Sequence, residues 1–261
     1  MQNVYDTDYP GETSEWLGGR MHKFHINGID AILVEPAGEV AAGRPWFWRA
    51  RFFGAFPFAD AELLKLGWHV AHIDIPELYG APESNRRFDL LYGFLVSLGF
   101  SEKPSLAGYS RGGMDIYSWA AKNTDKVSSL YLDNAVCDFK SCPGGKGASS
   151  GDAGSWENCL AAWNMTEEEA MKSSVNPIDN MKPIVDAGIP LLHVVADADH
   201  VVPKAENTDV VVKRVRELGG DVTVIVKHGF DHHPHCLENP APIVGFIVNA
   251  FAGKTPDSIR S

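Results

Sequence analysis

Apolar positions change period along this chain, and the changes mark out its elements. Residues 21–26 and 29–35 alternate apolar and polar positions on either side of Asn27-Gly28, the strongest short-range signal for a two-residue hairpin. Downstream, short apolar runs at 45–48, 68–75, 105–109, 127–132, 190–196 and 222–227 predict buried strands. Helical patterns at 58–66, 88–98, 114–122, 204–218 and 242–251 fall between them. The 204–218 pattern sets Val211, Val215 and Leu218 on one face and stops at Gly219-Gly220, while 88–98 stops at Gly99. Segment 114–122 is apolar nearly all round, as a buried helix is. Strands alternating with helices predict an α/β fold: a mostly parallel central sheet, helices on both faces and an N-terminal antiparallel hairpin. Such sheets gather their sites at the carboxyl ends of the strands.

The rhythm breaks between residues 137 and 185. This stretch opens with the glycine-rich run Pro143-Gly144-Gly145-Lys146-Gly147-Ala148-Ser149-Ser150-Gly151, followed by two short helical pieces near 156–163 and 166–172. Long irregular segments in compact domains are commonly functional. We read this one as a small cap inserted into a single domain spanning 1–261, not as a second domain. Its lysine is not part of a P-loop, because the spacing differs from G-x-x-x-x-G-K-[ST].

Composition narrows the class. The chain has 261 residues, 44% of them hydrophobic, enough for a large buried core. Lys and Arg number 23 against 34 Asp and Glu, a net charge of −11 that argues against a nucleic-acid or anionic-membrane partner. No apolar run reaches the roughly 18 residues of a membrane span, and residues 1–19 are polar and acidic, without the apolar core of a signal peptide. The four cysteines, Cys137, Cys142, Cys159 and Cys236, form no C-x-x-C pair. They are expected to be small buried residues, with a local Cys137–Cys142 bridge as the alternative in an oxidising compartment.

The candidate chemistry begins at Gly108-Tyr109-Ser110-Arg111-Gly112-Gly113. This G-x-S-x-G run lies between the strand 105–109 and the helix 114–122, the context of a nucleophile elbow. A tight strand-to-helix turn exposes the serine hydroxyl and calls for glycine two residues before and two after it, Gly108 and Gly112. The helix N-terminus that follows favours developing negative charge. A serine needs a base, and the base needs an orienting carboxylate. Two later strand ends supply both: 190–196 runs into Asp197-Ala198-Asp199-His200-Val201-Val202-Pro203, and 222–227 into His228-Gly229-Phe230-Asp231-His232-His233-Pro234-His235.

With a serine elbow, an acid loop and a histidine loop in that order, the chain resembles the α/β-hydrolase superfamily, in particular its esterase and prolyl-oligopeptidase-like branches, over nearly its whole length. The resemblance implies the α/β-hydrolase fold and a Ser-His-Asp triad. Its acid commonly sits three residues past a strand-end glycine, a position Ala196 takes here; this points to Asp199, with Asp197 as rival. Asp133, at the end of the strand after the elbow, is a third candidate. The family histidine lies three residues past a glycine; from Gly229 this points to His232, with His233 and His235 as rivals or substrate contacts. Histidine is the commonest metal ligand, so the cluster could also bind a metal, but no carboxylate or Cys partner stands at a recognised metal spacing; no metal and no cofactor are expected.

The resemblance also implies an oxyanion hole from the backbone N–H of Arg111 and one from the loop 49–54, for which we favour Arg51. Glucuronoyl esterases share the G-x-S-R-x-G elbow, a likeness limited to that motif, and there the arginine side chain assists the oxyanion. Arg49, Arg51 and Arg111 together suggest a cationic pocket suited to an acidic or carbohydrate-linked ester. Trp48 and, in the cap, Trp156 are candidate platforms for substrate. The expected activity is hydrolysis of a small-molecule or glycan carboxylic ester, with a peptidase of the same fold, or a non-catalytic ligand-binding member, as alternatives.

Overall fold

The computed structural model describes residues 11–254; the polar opening stretch, read above as lacking an apolar leader, lies outside the described residues up to position 10. In chain order the strands are β1 (Glu12–Trp16), β2 (Gly19–Ile26), β3 (Ile29–Glu35), β4 (Trp46–Arg49), β5 (His69–Ile73), β6 (Ser105–Tyr109), β7 (Ser129–Asp133), β8 (Leu191–Ala196) and β9 (Thr223–Lys227). They form one sheet in the order β1-β2-β3-β5-β4-β6-β7-β8-β9. Pairing is antiparallel from β1 through β3 to β5 and parallel from β5 to β9. The expected mostly parallel sheet with an N-terminal antiparallel hairpin is the observed one, and the hairpin turns at Asn27 and Gly28, both with positive φ.

The helices are α1 (Phe58–Lys65), α2 (Pro82–Ser97), α3 (Gly112–Ala120), α4 (Ala153–Trp163), α5 (Glu167–Lys172), α6 (Lys182–Asp186), α7 (Thr208–Glu217) and α8 (Ala241–Phe251). Successive strand residues point to opposite faces, so the sheet divides two cores. Trp46, Trp48, Leu106, Leu130 and Leu132 pack with α2, α3 and α7 on one face. Phe47, Ala107, Tyr109, Tyr131 and Val194 pack with α1 and α8 on the other.

Two elements escape the hydrophobic pattern. β1 is exposed at four of its five positions, so no apolar alternation announces it; the backbone pairs it to β2 through a turn at Leu17 and Gly18, both at positive φ. Helix α2 starts at Pro82, six residues before the apolar period, because the side it buries first carries Ser84 and Asn85. Proline at the first helical position is the signal that locates it.

Between β7 and β8 lie α4, α5 and α6. Asp152 caps α4 by accepting from Ser155 N–H, and Thr166 with Glu169 forms a capping box on α5. Phe139, Cys142, Trp156, Cys159 and Ala170 make a small core of their own against Tyr79, Met114 and Val202. All four cysteines are buried free thiols, so the Cys137–Cys142 bridge is not formed.

The β5–α2 connection is tied to α3 by Asp115, whose Oδ1 accepts from Gly80 N–H at 2.8 Å and Ser84 Oγ at 2.7 Å. Burial pushes this carboxyl up to about 6, from an ordinary 3.8. A raised acid pKa contributes stability that is full below about pH 4 and is lost as pH rises to about 6; a two-unit shift corresponds to roughly 3 kcal/mol. Asp115→Asn keeps the accepting oxygen and carries no charge. Melting temperatures at pH 4 and pH 8 are therefore expected to shift in the variant's favour, relative to the native chain, at the higher pH. Parallel profiles would show that Asp115 is not protonated preferentially in the fold.

Candidate active site

Ser110 sits between β6 and α3 at φ 48°, a left-handed conformation that side chains rarely adopt. The strand and helix around it hold that geometry. Ser110 N–H donates to Asp133 O at 3.0 Å, and Ser110 O accepts from Gly113 N–H at 3.0 Å and Val136 N–H at 2.9 Å. A Cβ on Gly108 would lie 2.8 Å from Gly112 O, so glycine before the serine is required. After it, the requirement falls one residue later than the motif implies. A Cβ on Gly112 would meet nothing closer than 3.6 Å, whereas one on Gly113 would lie 2.7 Å from Ala135 Cβ and 2.8 Å from Val136 O.

The acid and histidine loops meet the elbow because β6, β7, β8 and β9 are sheet neighbours. His232 Nε2 lies 3.0 Å from Ser110 Oγ, and its Nδ1 lies 2.7 Å from Asp199 Oδ2. The other Asp199 oxygen accepts from the N–H groups of Val201 and Val202 at 2.9 and 2.7 Å. Ser110, Asp199 and His232 are all buried. Asp197 is exposed and spans His228 Nδ1 and Gly229 N–H, both at 2.7 Å, a bond that closes the loop.

Asp133 has a different histidine. It accepts from His235 Nδ1 at 2.8 Å, Tyr131 Oη at 2.6 Å and Cys236 N–H at 2.9 Å, with Lys227 Nζ at 3.8 Å. His235 is only 4% exposed and stacks on Tyr109, so its expected substrate contact is replaced by a buried pairing. His233 is exposed and lies against Phe56 at a 5.7 Å ring separation.

The arginines form pairs instead of an open cationic pocket. Arg49, expected to meet substrate, is fully buried; it bonds Asp60 at 2.8 Å and the Phe52 and Ala55 carbonyls, with its guanidinium 4.0 Å from the Tyr109 ring centre. It thus braces the loop that follows β4. Arg51 reaches Ile75 O and Glu77 at 3.0 Å, while Arg111 reaches the same Glu77 at 2.7 Å, Tyr79 Oη at 3.0 Å and Ser155 Oγ at 3.3 Å. Burial raises the Glu77 carboxyl, but the hydrogen bond from Tyr79 and the charges of Arg111 and Arg51 outweigh it and hold the pKa below its ordinary value. Burial and Glu77 push the Tyr79 phenol up to about 12.

The aromatic expectations are also corrected. Trp48 is fully buried, stacked on Trp46, tilted against Phe88 and edge-on to Trp119. Its strand is covered on both faces, leaving no rim for it to occupy. Trp156 is 7% exposed and packs on Phe139 in the inserted segment's core. Short as it is, that segment needs its tryptophans to fill its own interior.

Asn134, Glu77 and Tyr79 were not singled out by the sequence. Asn134 Nδ2 donates to His232 O and its Oδ1 accepts from Ala196 N–H, both at 2.7 Å, so it links the histidine loop to β8. An asparagine directly after a strand, the residue type that most readily takes the positive φ it has here (41°), is the signal that could have found it. Glu77 and Tyr79 lie in a turn-rich connection with no readable period. A groove of about 790 Å³ is lined by Lys103, Ser128 and Leu191, at the amino ends of β6, β7 and β8, the opposite ends from Ser110.

No protein-family model and no curated protein sequence matches the chain. Solved structures do. It superposes on a puromycin hydrolase with TM-score 0.67 and 15% identity over 91% of this chain and 40% of that one. A Pyrococcus horikoshii acylaminoacyl peptidase gives TM-score 0.60 and 16% identity over 87% and 40%. A membrane phospholipase A that is a bacterial virulence factor gives TM-score 0.57 and 17% identity over 91% and 87%. The chain has the α/β-hydrolase fold. It spans about 40% of the length of the first two.

Two outcomes follow from the packing. Gly113→Ala is expected to lose about 1–3 kcal/mol in urea unfolding, while Gly112→Ala stays close to native; equal losses would contradict the contact geometry. Arg49→Met leaves Asp60 buried without its ion partner and is expected to cost about 3–5 kcal/mol. A folded variant of native stability, altered only in substrate affinity, would return Arg49 to the substrate.

Proposed function

We propose that the chain is a serine hydrolase that cleaves a carboxylic ester through an acyl-enzyme. The observation that carries this reading is the continuous relay from Ser110 Oγ through His232 to Asp199, at 3.0 and 2.7 Å. Ser110 attacks the ester carbonyl while His232 Nε2 takes its proton. Asp199, bonded at Nδ1, fixes the ring and stabilises the imidazolium. The same proton then goes to the leaving alcohol, and water reverses the steps. No cofactor enters the reaction.

The oxyanion would lie between the N–H groups of Arg111 and Arg51. Among the described residues neither donates to a backbone carbonyl, and a Cβ added at Gly112 would lie 3.6 Å from Arg51 Cβ. The inserted segment acts as a cap: Ser155 on α4 touches Arg111, and Trp163 Nε1 donates to Tyr79 O at 3.0 Å. Because Glu77 answers both Arg51 and Arg111, an uncharged acyl group suits the site better than an acidic one.

A fluorophosphonate probe is expected to label the native chain once and Ser110→Ala not at all. Asp199→Asn should lower turnover about 10⁴-fold while leaving the fold intact. Against a panel of p-nitrophenyl esters and aminoacyl-nitroanilides, ester turnover should dominate. Dominant anilide turnover would make it an amidase, the activity type of its puromycin hydrolase and acylaminoacyl peptidase likenesses. Failure of folded native protein to react with the probe would make it a ligand-binding member of the fold.

A further inference from the structure

The loop after β9 brings three imidazoles to one place. The ring centres of His232, His233 and His235 are 4.9 Å apart in every pair, and the planes cross at 67°, 81° and 86°. One nitrogen from each lies within 4.8 Å of the other two. Tetrahedral nitrogen ligands about 2.0–2.1 Å from a zinc ion stand roughly 3.3 Å apart, so side-chain rotation of an ångström or so closes the set.

Two of the rings are already oriented as metal ligands are. His232 Nδ1 faces Asp199 at 2.7 Å, and His235 Nδ1 faces Asp133 at 2.8 Å. A carboxylate on one ring nitrogen holds the proton there and leaves the lone pair on the other, the outer-shell arrangement that orients metal-bound histidines. Asp133 itself is buried and anchored by Tyr131 and Cys236 N–H, so it needs no movement. Phe56, stacked on His233 and edge-on to His235, and Tyr109, stacked on His235, fix the rings from the sides. The third ring, His233, is exposed and gives an ion a way in.

We propose that His232, His233 and His235 form a binding site for a borderline divalent transition ion, Zn²⁺ above all. Imidazole nitrogens select such ions over Mg²⁺ and Ca²⁺, which take oxygen ligands. The lone pair of His232 Nε2 faces either Ser110 or the ion, so the two are mutually exclusive. The site is therefore inhibitory toward the proposed hydrolase; binding itself does not depend on that activity.

The test uses the full chain without a histidine tag. Equilibrium dialysis of Ser110→Ala with Zn²⁺ should show one ion per chain, with Mg²⁺ and Ca²⁺ not retained. Adding His233→Ala, an exposed position where folding is not at stake, removes a direct ligand and should weaken Zn²⁺ by more than the roughly tenfold to hundredfold lost with an outer-shell partner. No retention, or retention unchanged by His233→Ala, would overturn the site. In native protein, Zn²⁺ should slow fluorophosphonate labelling, a chelator should restore it, and His233→Ala should resist inhibition relative to its own metal-free rate. Zinc bound with labelling undiminished would overturn the mutual exclusion. If metal-free protein never labels, the hydrolase reading fails while the dialysis still decides the site.

Discussion

The left-handed backbone of Ser110 is the constraint around which the rest is arranged. A non-glycine residue held at positive φ costs on the order of 1–3 kcal/mol, and it persists only where its surroundings over-determine it. Here Ser110's own N–H and C=O are held by Asp133, Gly113 and Val136. The glycines at 108 and 113 let the helix and the β7 exit approach within contact. The parallel register then places Asp133 opposite Tyr109, Val194 opposite Asp133 and Lys227 opposite Ala196. Three strand ends therefore open beside the elbow, and the acid and histidine loops have nowhere else to converge.

Charge near Ser110 is organised as closed pairs. Arg49 answers Asp60, Arg51 and Arg111 share Glu77, and Lys227 approaches Asp133. The fully buried Arg49–Asp60 pair adds little net stability, since desolvation offsets its attraction, but breaking it is costly. The effect of the pairs is to fix shape: Arg49 pins the turn after β4, and Glu77 pins the wall that faces the inserted segment. In a chain of net charge −11, these arginines act as internal braces and not as a lure for anions.

The architecture was legible because buried parallel strands announce themselves as continuous apolar runs. The order of serine, acid and histidine loops could be read because each ends such a run. What escaped reading depends on partners distant in sequence. Whether Trp48 faces solvent or Trp119 is decided by α2 and α3 closing over it. Arg49 reads as a free cation until Asp60, eleven residues on, is known to be buried beside it. His232 is favoured in the sequence only by its distance from Gly229; the fold separates it from His235 by giving one Asp199 and the other Asp133. Gly112 and Gly113 are adjacent letters, and only the position of Ala135 tells which one must lack a side chain.

Asn134 separates two things that are usually coupled. By gripping the carbonyl of His232 from the β7 exit and Ala196 N–H on β8, it sets the height of that loop from outside it. The residues on either side, 228–231 and 237–240, are largely exposed, and the first stretch bonds the acid loop at Asp197 and Ala198. Insertions or substitutions there can reshape the rim while the histidine stays at its post. The chain thereby keeps reach toward new ligands distinct from the machinery beneath, so that change in one does not have to be bought with loss of the other.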